Sequence, residues 1–330
     1  EKVNDLLLFN GFKKADDLEK TDVAILNTCH IREKASEKLY SDLGRLSIFK
    51  KNKEKLGKKF SIVVMGCVAQ AEGEEIISRN NSVDYVVGPQ NIQAIPKLLK
   101  NKIFEKIHIN FLSEEKFKSL TLSKTNKISS LITVQEGCDK FCSFCVVPYT
   151  RGAEFSRPVE DIYAEVNDVV KKGSAEVTLL GQNVSSYESV IYDSEEKKLK
   201  LGGLCNIISK IPKLKRIRYL TSHPNDIDDN LINEHAKNKK LMPFLHLPIQ
   251  SGSDKILKKM NRKHTQKEYL DLIKKIKLAI PHMAFSSDFI VGYPGETEED
   301  FEKTVSLANK VKFASSYSFI YSSRPGTPAS

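Results

Sequence analysis

The sequence predicts an α/β protein in two parts, a small N-terminal parallel-sheet α/β domain followed by a partial (β/α)6 barrel. Three observations carry this. Short apolar runs of the buried-strand type alternate with helical stretches along most of the chain. The alternation pauses near residues 106–128 and resumes with longer units. After each later strand candidate comes a segment rich in Gly, Pro and polar residues, and all six of these lie on one end, the end where βα barrels build their sites.

The first domain is assigned to residues 1–105. Residues 22–27 form a short apolar strand, followed by a helical stretch over 32–49. A second strand spans 60–66 with a helix over 71–79, and a third spans 83–88 with a helix over 92–100. This βαβα order implies a parallel sheet covered by helices. Residues 106–128, rich in Lys and Ser with little periodicity, read as a linker.

In the second domain, residues 129–330, strands are expected at 131–135, 175–180, 217–220, 244–247, 285–291 and 317–321. Helices are expected at 159–171, 204–210, 227–237, 254–260 with 266–278, and 298–311. Six βα units suggest an open barrel rather than a closed one of eight strands.

The loop after the first barrel strand holds Cys138, Cys142 and Cys145 in a C-x3-C-x2-C run. Thiolates this close can hold three corners of a [4Fe–4S] cluster, for which thiolate is the preferred soft ligand. No Cys or His follows Cys145 until Cys205, so the fourth iron is left open. An open iron is what S-adenosylmethionine (SAM) needs to bind through its amino and carboxylate groups and be cleaved reductively. Zinc is the competing reading, but zinc knuckles pair such a run with a second one nearby.

Cys29 and Cys67 occupy matching places in the first domain, each just beyond a predicted strand. Carboxyl ends of parallel strands are the usual site face of such sheets. The two thiols there read equally well as metal ligands or as buried, inert residues. Cys205, in an apolar helical stretch, reads as a small buried hydrophobe. Six cysteines without a paired framework argue against a disulfide scaffold and for a reducing compartment.

Charged residues make up 28% of the chain, so the composition is that of an ordinary globular protein. Apolar runs such as Leu6-Leu-Leu-Phe9 are far too short to span a bilayer. No signal peptide is visible, and the first residue is Glu1 rather than Met, as in a fragment. The net charge of +10 permits a polyanionic partner. It is scattered, however, and the Lys-rich stretches at 50–59, 97–127 and 255–277 each read as solvated helix faces.

Several motifs together resemble one family, the radical-SAM methylthiotransferases. They are Asn27-Thr-Cys-His-Ile-Arg-Glu-Lys-Ala35, Met65-Gly-Cys67, and the run from Gln135 through the three cysteines to Val147-Pro-Tyr-Thr-Arg-Gly152. Gly181-Gln-Asn183, His246-Leu-Pro-Ile-Gln-Ser-Gly252 and Ile290-Val-Gly-Tyr-Pro-Gly-Glu-Thr297 extend the likeness over the whole chain. The stretches after Cys29 and after Cys145 are most similar to the branch that acts on N(6)-dimethylallyladenosine of tRNA.

The resemblance implies a radical-SAM barrel and conversion of that nucleoside, next to the anticodon, to its 2-methylthio derivative. It implies two [4Fe–4S] clusters. One, on Cys138, Cys142 and Cys145, serves SAM; an auxiliary one takes Cys29, Cys67 and a third Cys expected upstream of Glu1. A small RNA-binding β domain is expected after the barrel, beyond this chain. Without both, full methylthiolation activity is expected to be absent or nearly so. The implied partners are tRNA, an electron donor such as flavodoxin or ferredoxin, and iron–sulfur and sulfur supply proteins. A cytoplasmic monomer without membrane attachment is expected.

No side chain beyond the cluster ligands is expected to be catalytic. Phe144, Gly181, Gln182, Asn183, Ser222, Gln250 and Asp288, in the cluster loop or near strand ends, are the candidates for holding SAM. For the polar ones, ordinary loop or core hydrogen bonding is the alternative. Gly152, Gly181 and Gly292 would let backbone approach the adenosyl group. Arg151 and Arg157 could meet a carboxylate or phosphate, or form ordinary surface ion pairs. His30 reads as a solvated loop residue. Two other functions stay open. One is methylthiotransfer to threonylcarbamoyladenosine tRNA or to a ribosomal protein; the other is a non-catalytic, metal-containing RNA-binding protein.

Overall fold

A computed structural model describes residues 2–30, 33–101, 105–111, 127–192 and 196–330. Arg32, where the first-domain helix was expected to begin, and most of the expected linker lie outside them. The chain divides into two compact units, residues 1–124 with 146–152, and residues 125–145 with 153–330.

The first unit opens with helix α1, Lys2–Phe9. Its sheet comprises β1 Val23–Thr28, β2 Ser61–Gly66, β3 Tyr85–Val87 and β4 Ile107–His108, all parallel and in that spatial order. Strand β4 falls within the expected linker and extends the sheet by one short strand. Helices α2 Glu33–Lys55, α3 Cys67–Arg79 and α4 Ile95–Asn101 cover the sheet.

Successive β2 side chains point to opposite faces, as the pleat requires. Ile62 and Val64 pack with Leu39 and Leu43 of α2 and with Val68 and Ile76 of α3. Val63 and Met65 pack on the other face with Ile95 and Leu98 of α4 and with Val3 and Leu7 of α1. Burial on both faces explains why β2 reads as an unbroken apolar run. Each buried aliphatic side chain contributes about 1.5–3 kcal/mol. The short helix α5, Val147–Arg151, also belongs to this unit, and Gln90 Nε2 donates to its Arg151 carbonyl at 2.8 Å.

In the second unit β5 Ser129–Thr133 leads into a small antiparallel pair, β6 Gln135–Glu136 with β7 Phe155–Ser156. Then follow α6 Val159–Lys171 and β8 Glu176–Leu180. An antiparallel pair, β9 Glu188–Tyr192 with β10 Glu196–Lys200, interrupts the alternation before α7 Leu201–Ser209. The remainder is β11 Arg216–Tyr219, α8 Asp229–Lys237, β12 Phe244–His246, α9 Asp254–Lys259, α10 Gln266–Ala279, β13 Ala284–Val291, α11 Glu298–Val311 and β14 Ser315–Ile320.

The six long-unit strands form two parallel three-stranded sheets, β11-β8-β5 and β12-β13-β14. A parallel bridge between Ile217 and Leu241 ties them, with Ile217 N donating to the Lys240 carbonyl at 2.7 Å. Strand order therefore follows chain order around an open, six-stranded partial barrel, as expected. One core runs along its helix-covered side, from Val166 and Val169 of α6 through Leu204 and Cys205 of α7 to Ile273 and Leu307. Both α10 and α11 open with capping boxes, Thr265 with Glu268 and Thr297 with Asp300, each fixing a helix start beside a site-face loop.

Candidate metal and cofactor site

The cysteine loop leaves the β6 strand and is held from two directions. The first is a clasp of two glutamines. Gln135, wholly buried, donates from Nε2 to the Gly137 carbonyl at 2.7 Å. Its Oε1 accepts the backbone N–H groups of Gln182 and Asn183 at 2.9 and 3.1 Å. Gln182 Oε1 in turn accepts the Gly137 N–H at 2.8 Å. Gly181 makes room for this, since a Cβ there would lie 2.6 Å from Gln135 Oε1.

The second hold comes from the segment after α9. Ser143 donates its N–H to the Met260 carbonyl at 3.0 Å and its hydroxyl to the Lys259 carbonyl at 2.8 Å. Asn261 Nδ2 donates to the Phe141 carbonyl at 2.8 Å, and Ala329 N donates to the Ser143 carbonyl at 2.9 Å. Phe144 packs against Ile256, Met260 and Tyr293. Bonds of this kind contribute about 1 kcal/mol each, so the loop is fixed before anything binds to it.

The three thiols differ in setting. Cys142 is buried, and Cys138 and Cys145 are partly exposed. Burial pushes the Cys138 thiol up to about 11; the Lys140 backbone N–H lowers it and neighbouring Cys142 raises it. A soft cation is the agent that strips such a thiol of its proton. Arg262 Nη1 donates to Cys142 Sγ at 3.6 Å, and its Nη2 donates to the Pro248 carbonyl.

Around the loop lie ends of four further strands. Asn183 is buried and its side chain is fully engaged, with Nδ2 donating to Asp226 at 2.6 Å and Oδ1 accepting from Ser185 at 2.9 Å. Lys140 reaches the other oxygen of Asp226 at 2.6 Å. Ser222 is buried, and among the described residues its hydroxyl has no hydrogen-bond partner. Gln250 takes a left-handed backbone (φ 79°) between the Asp288 carbonyl and the Ile290 N–H. Asp288 Oδ2 stands 3.4 Å from His246 Nε2, and His246 Nδ1 is 2.8 Å from Ser286 Oγ. His223 and His264 stack edge to face, with ring centroids 5.6 Å apart. Burial, and then the Arg262 charge, lower them to about 2 and 4, so both are neutral.

In the first unit the β1–β2 register pairs Thr28 with Gly66. Cys29 and Cys67 therefore each stand one residue beyond a paired position, side by side at the carboxyl end of the sheet. Thr28 Oγ1 locks the pair by donating to the Met65 carbonyl at 2.6 Å. Cys29 is exposed and Cys67 partly so.

Some expectations need correction. Arg157 is neither a surface residue nor a candidate for carboxylate or phosphate. It is buried in an ion pair with buried Glu165, and its Nη1 also donates to the Thr133 carbonyl at 3.3 Å. His30 is buried, not solvated. Asn183 engages both ends of its side chain with Asp226 and Ser185, and Gln182 Oε1 accepts the Gly137 N–H, the alternative left open for them. Cys205 is inert as expected, being wholly buried in α7 with its thiol pushed far up. Arg262 was missed because it lies within a basic stretch read as a solvated face, yet it is buried.

Among the described residues no three His, Cys, Asp or Glu side chains are grouped closely enough to hold a metal ion as they stand. The donor chemistry nonetheless fits an iron–sulfur cluster with SAM. Three thiols share one pinned loop, a buried guanidinium aims at one of them, and the Ser222 hydroxyl, without a partner among the described residues, lies at a neighbouring strand end. The partial barrel and this loop define a radical SAM protein.

Residues 132–308 match the family described as the radical SAM superfamily, and residues 1–88 match the one described as uncharacterized protein family UPF0004. The fold resembles that of the radical SAM methyltransferase TsrM from Kitasatospora setae, at a TM-score of 0.68 and 11% identity over 98% of this chain and 65% of that one. It also resembles the cobalamin-dependent SAM radical enzyme OxsB, at a TM-score of 0.63 and 12% identity over 88% and 44% of the two chains.

In sequence the chain is 54% identical to the tRNA-2-methylthio-N(6)-dimethylallyladenosine synthase of Wolbachia pipientis subsp. Culex pipiens, over 96% of this chain and 72% of that protein. It is 52% identical to the synthase of the same name from Rickettsia akari, over 99% and 74%. The chain belongs to the family of these synthases.

Proposed function

We propose that the chain is a radical-SAM tRNA methylthiotransferase that converts N(6)-dimethylallyladenosine next to the anticodon to its 2-methylthio derivative. The observation that carries this is the 54% identity to a synthase of that name over 96% of the chain, with the three-cysteine loop inside the matched region.

Cys138, Cys142 and Cys145 would hold the cluster that binds SAM. Cys29 and Cys67, side by side on the first unit's sheet, would contribute to an auxiliary one. When bound, SAM and the cluster supply a primary carbon radical, the reagent needed to take hydrogen from the unactivated C2–H of adenine.

The protein's own task is to hold reactants and exclude competing reactions. The Gln135–Gln182 clasp and the Ser143 anchors fix the loop. Ser222, whose buried hydroxyl lacks a partner among the described residues, is the side chain best placed to accept a ligand contact. Gln250 and Asp288 are offered as further SAM contacts, Phe144 as an apolar wall, and Gly181 as the space-giving residue. Gln182 and Asn183 would act by positioning these. The partners are tRNA, a low-potential donor of the flavodoxin or ferredoxin class and iron–sulfur and sulfur supply proteins, in the cytoplasm. Among the described residues no helix is long and apolar enough to cross a membrane.

The test is mass spectrometry of nucleosides in bulk tRNA from cells lacking the gene. Loss of 2-methylthio-N(6)-dimethylallyladenosine with accumulation of its unthiolated precursor is expected. An unchanged profile would refute the assignment.

A further inference from the structure

Arg262 is buried, and among the described residues it has no carboxylate within ion-pair distance. A guanidinium stays charged at any pH a protein meets. Taking such a charge out of water is strongly unfavourable unless an anion meets it. Its polar contacts are two acceptors, Cys142 Sγ at 3.6 Å and the Pro248 carbonyl, while its Nε has no partner among the described residues. The flanking imidazoles of His223 and His264 are neutral and supply no negative charge. The turn that places it is specific. Asn261 adopts a left-handed backbone (φ 56°) and ties its amide to Phe141 in the same loop, and Arg262 N closes the turn on the Leu257 carbonyl at 2.8 Å.

We infer that Arg262 is a positioning residue whose buried charge and N–H···S bond to Cys142 raise the reduction potential of the cluster held on Cys138, Cys142 and Cys145. The inference rests on the cluster assignment above. The step it acts on is a one-electron reduction, [4Fe–4S]2+ plus one electron from a low-potential donor giving [4Fe–4S]1+. The added electron makes the thiolate-ligated cluster more negative. A fixed cation beside one sulfur therefore favours the reduced form over the oxidised one. Without the guanidinium the same donor would reduce fewer clusters.

The test is a mediated redox titration of the reconstituted protein, followed by electron paramagnetic resonance and by iron counted per chain. At the wild-type midpoint Arg262→Met is expected to show a reduced-to-oxidised ratio about tenfold lower, a shift of about 59 mV to more negative potential. Arg262→Lys, which keeps a charge but not the planar fork, should fall between the two. A wild-type ratio in Arg262→Met overturns the inference, as does one in Arg262→Lys should the Met variant take up no iron. If wild-type iron uptake is indifferent to Cys→Ala changes in the loop, the cluster assignment itself fails, an outcome distinct from an unshifted potential.

Discussion

Gln135 accepts the backbone N–H of Gln182, and the Gln182 side chain in turn accepts from the start of the cysteine loop that Gln135 leads into. The backbone N–H of Gln182 meets Gln135 Oε1 at 2.9 Å, and Gln182 Oε1 meets Gly137 N, one residue before Cys138, at 2.8 Å. The pair couples the end of β8 to the cysteine loop through the loop's backbone at Gly137.

Replacing Gln135 should therefore damage the loop more than its distance from the sulfurs suggests. Gln135→Leu leaves the Gly137 carbonyl and the N–H groups of Gln182 and Asn183 without their partner. At about 1–3 kcal/mol for each buried unsatisfied group, a loss of about 3 kcal/mol or more is expected. Gln182→Ala removes one accepted bond and should cost about 1 kcal/mol. Urea midpoints of the metal-free proteins, with iron uptake measured alongside, check the ranking. Equal costs would show that Gln135 is not the centre of the clasp.

The loop thiols and Cys205 should separate cleanly. Changing Cys138, Cys142 or Cys145 to Ala should abolish iron–sulfur absorbance. The metal-free fold should stay within about 1 kcal/mol of wild type for Cys138 and Cys145, which among the described residues belong to no core cluster. Cys142→Ala takes an acceptor from buried Arg262 and should cost about 1–3 kcal/mol. Cys205→Ser should do the opposite. It puts a hydroxyl into a wholly buried site among Leu204, Ile208 and Tyr219, and about 1–3 kcal/mol of stability should go with full iron uptake retained. Iron per chain and urea midpoints on the same four variants decide it.

Gly66 should prove indispensable where Gly44 is not. Gly66 sits at φ 100°, and a Cβ there would lie 2.4 Å from the Thr28 carbonyl oxygen and 2.9 Å from Asn27 Oδ1. Both neighbours belong to the strand that leads to Cys29, so Gly66→Ala must separate the strand ends that present Cys29 and Cys67. A cost of about 2 kcal/mol or more is expected. Gly44, within α2, has nothing within 4 Å of its would-be Cβ among the described residues, and Gly44→Ala should add up to about 1 kcal/mol. Thermal or urea denaturation gives both numbers. A neutral Gly66→Ala would contradict the close approach.

How legible all this was in the sequence follows from where the signal lies. Strands β2, β3 and β8 are buried along nearly their whole length, so they stand out as apolar runs. Helices α6 and α11 begin and end where the periodicity of Val159–Lys171 and Glu298–Val311 says they should. The pair β9–β10 was not anticipated because Glu188, Lys197, Lys198 and Lys200 break any apolar alternation. Strand β4 is two residues long and pairs only through tertiary context. At the site, cysteine spacing announced itself, whereas Arg262 did not. A buried Arg and its solvated Lys neighbours look alike along a chain, and only the left-handed turn at Asn261 sends one of them inward. Arg157 misled for the same reason, its partner Glu165 being one helical face away on α6.

His235 should make the fold sensitive to mild acid. It is buried on α8, with Nε2 2.8 Å from the hydroxyl of Tyr219 on β11, and burial lowers it from 6.5 to about 4. The folded protein therefore resists protonation there while the unfolded chain accepts it. Between pH 6.5 and 4 the unfolded state binds more protons, so stability is fully present above that window and falls as pH drops through it, levelling off below. A displacement of that size is worth on the order of 3 kcal/mol at full effect. His223 and His264, lowered by burial and by Arg262, act in the same direction, so the wild-type slope is a sum. His235→Gln keeps a hydrogen-bonding group opposite Tyr219 but cannot titrate. Urea midpoints of the metal-free protein at pH 7 and pH 4.5 should drop less in this variant than in wild type. A variant as acid-sensitive as wild type would mean that His235 takes up its proton in the folded state as freely as in water.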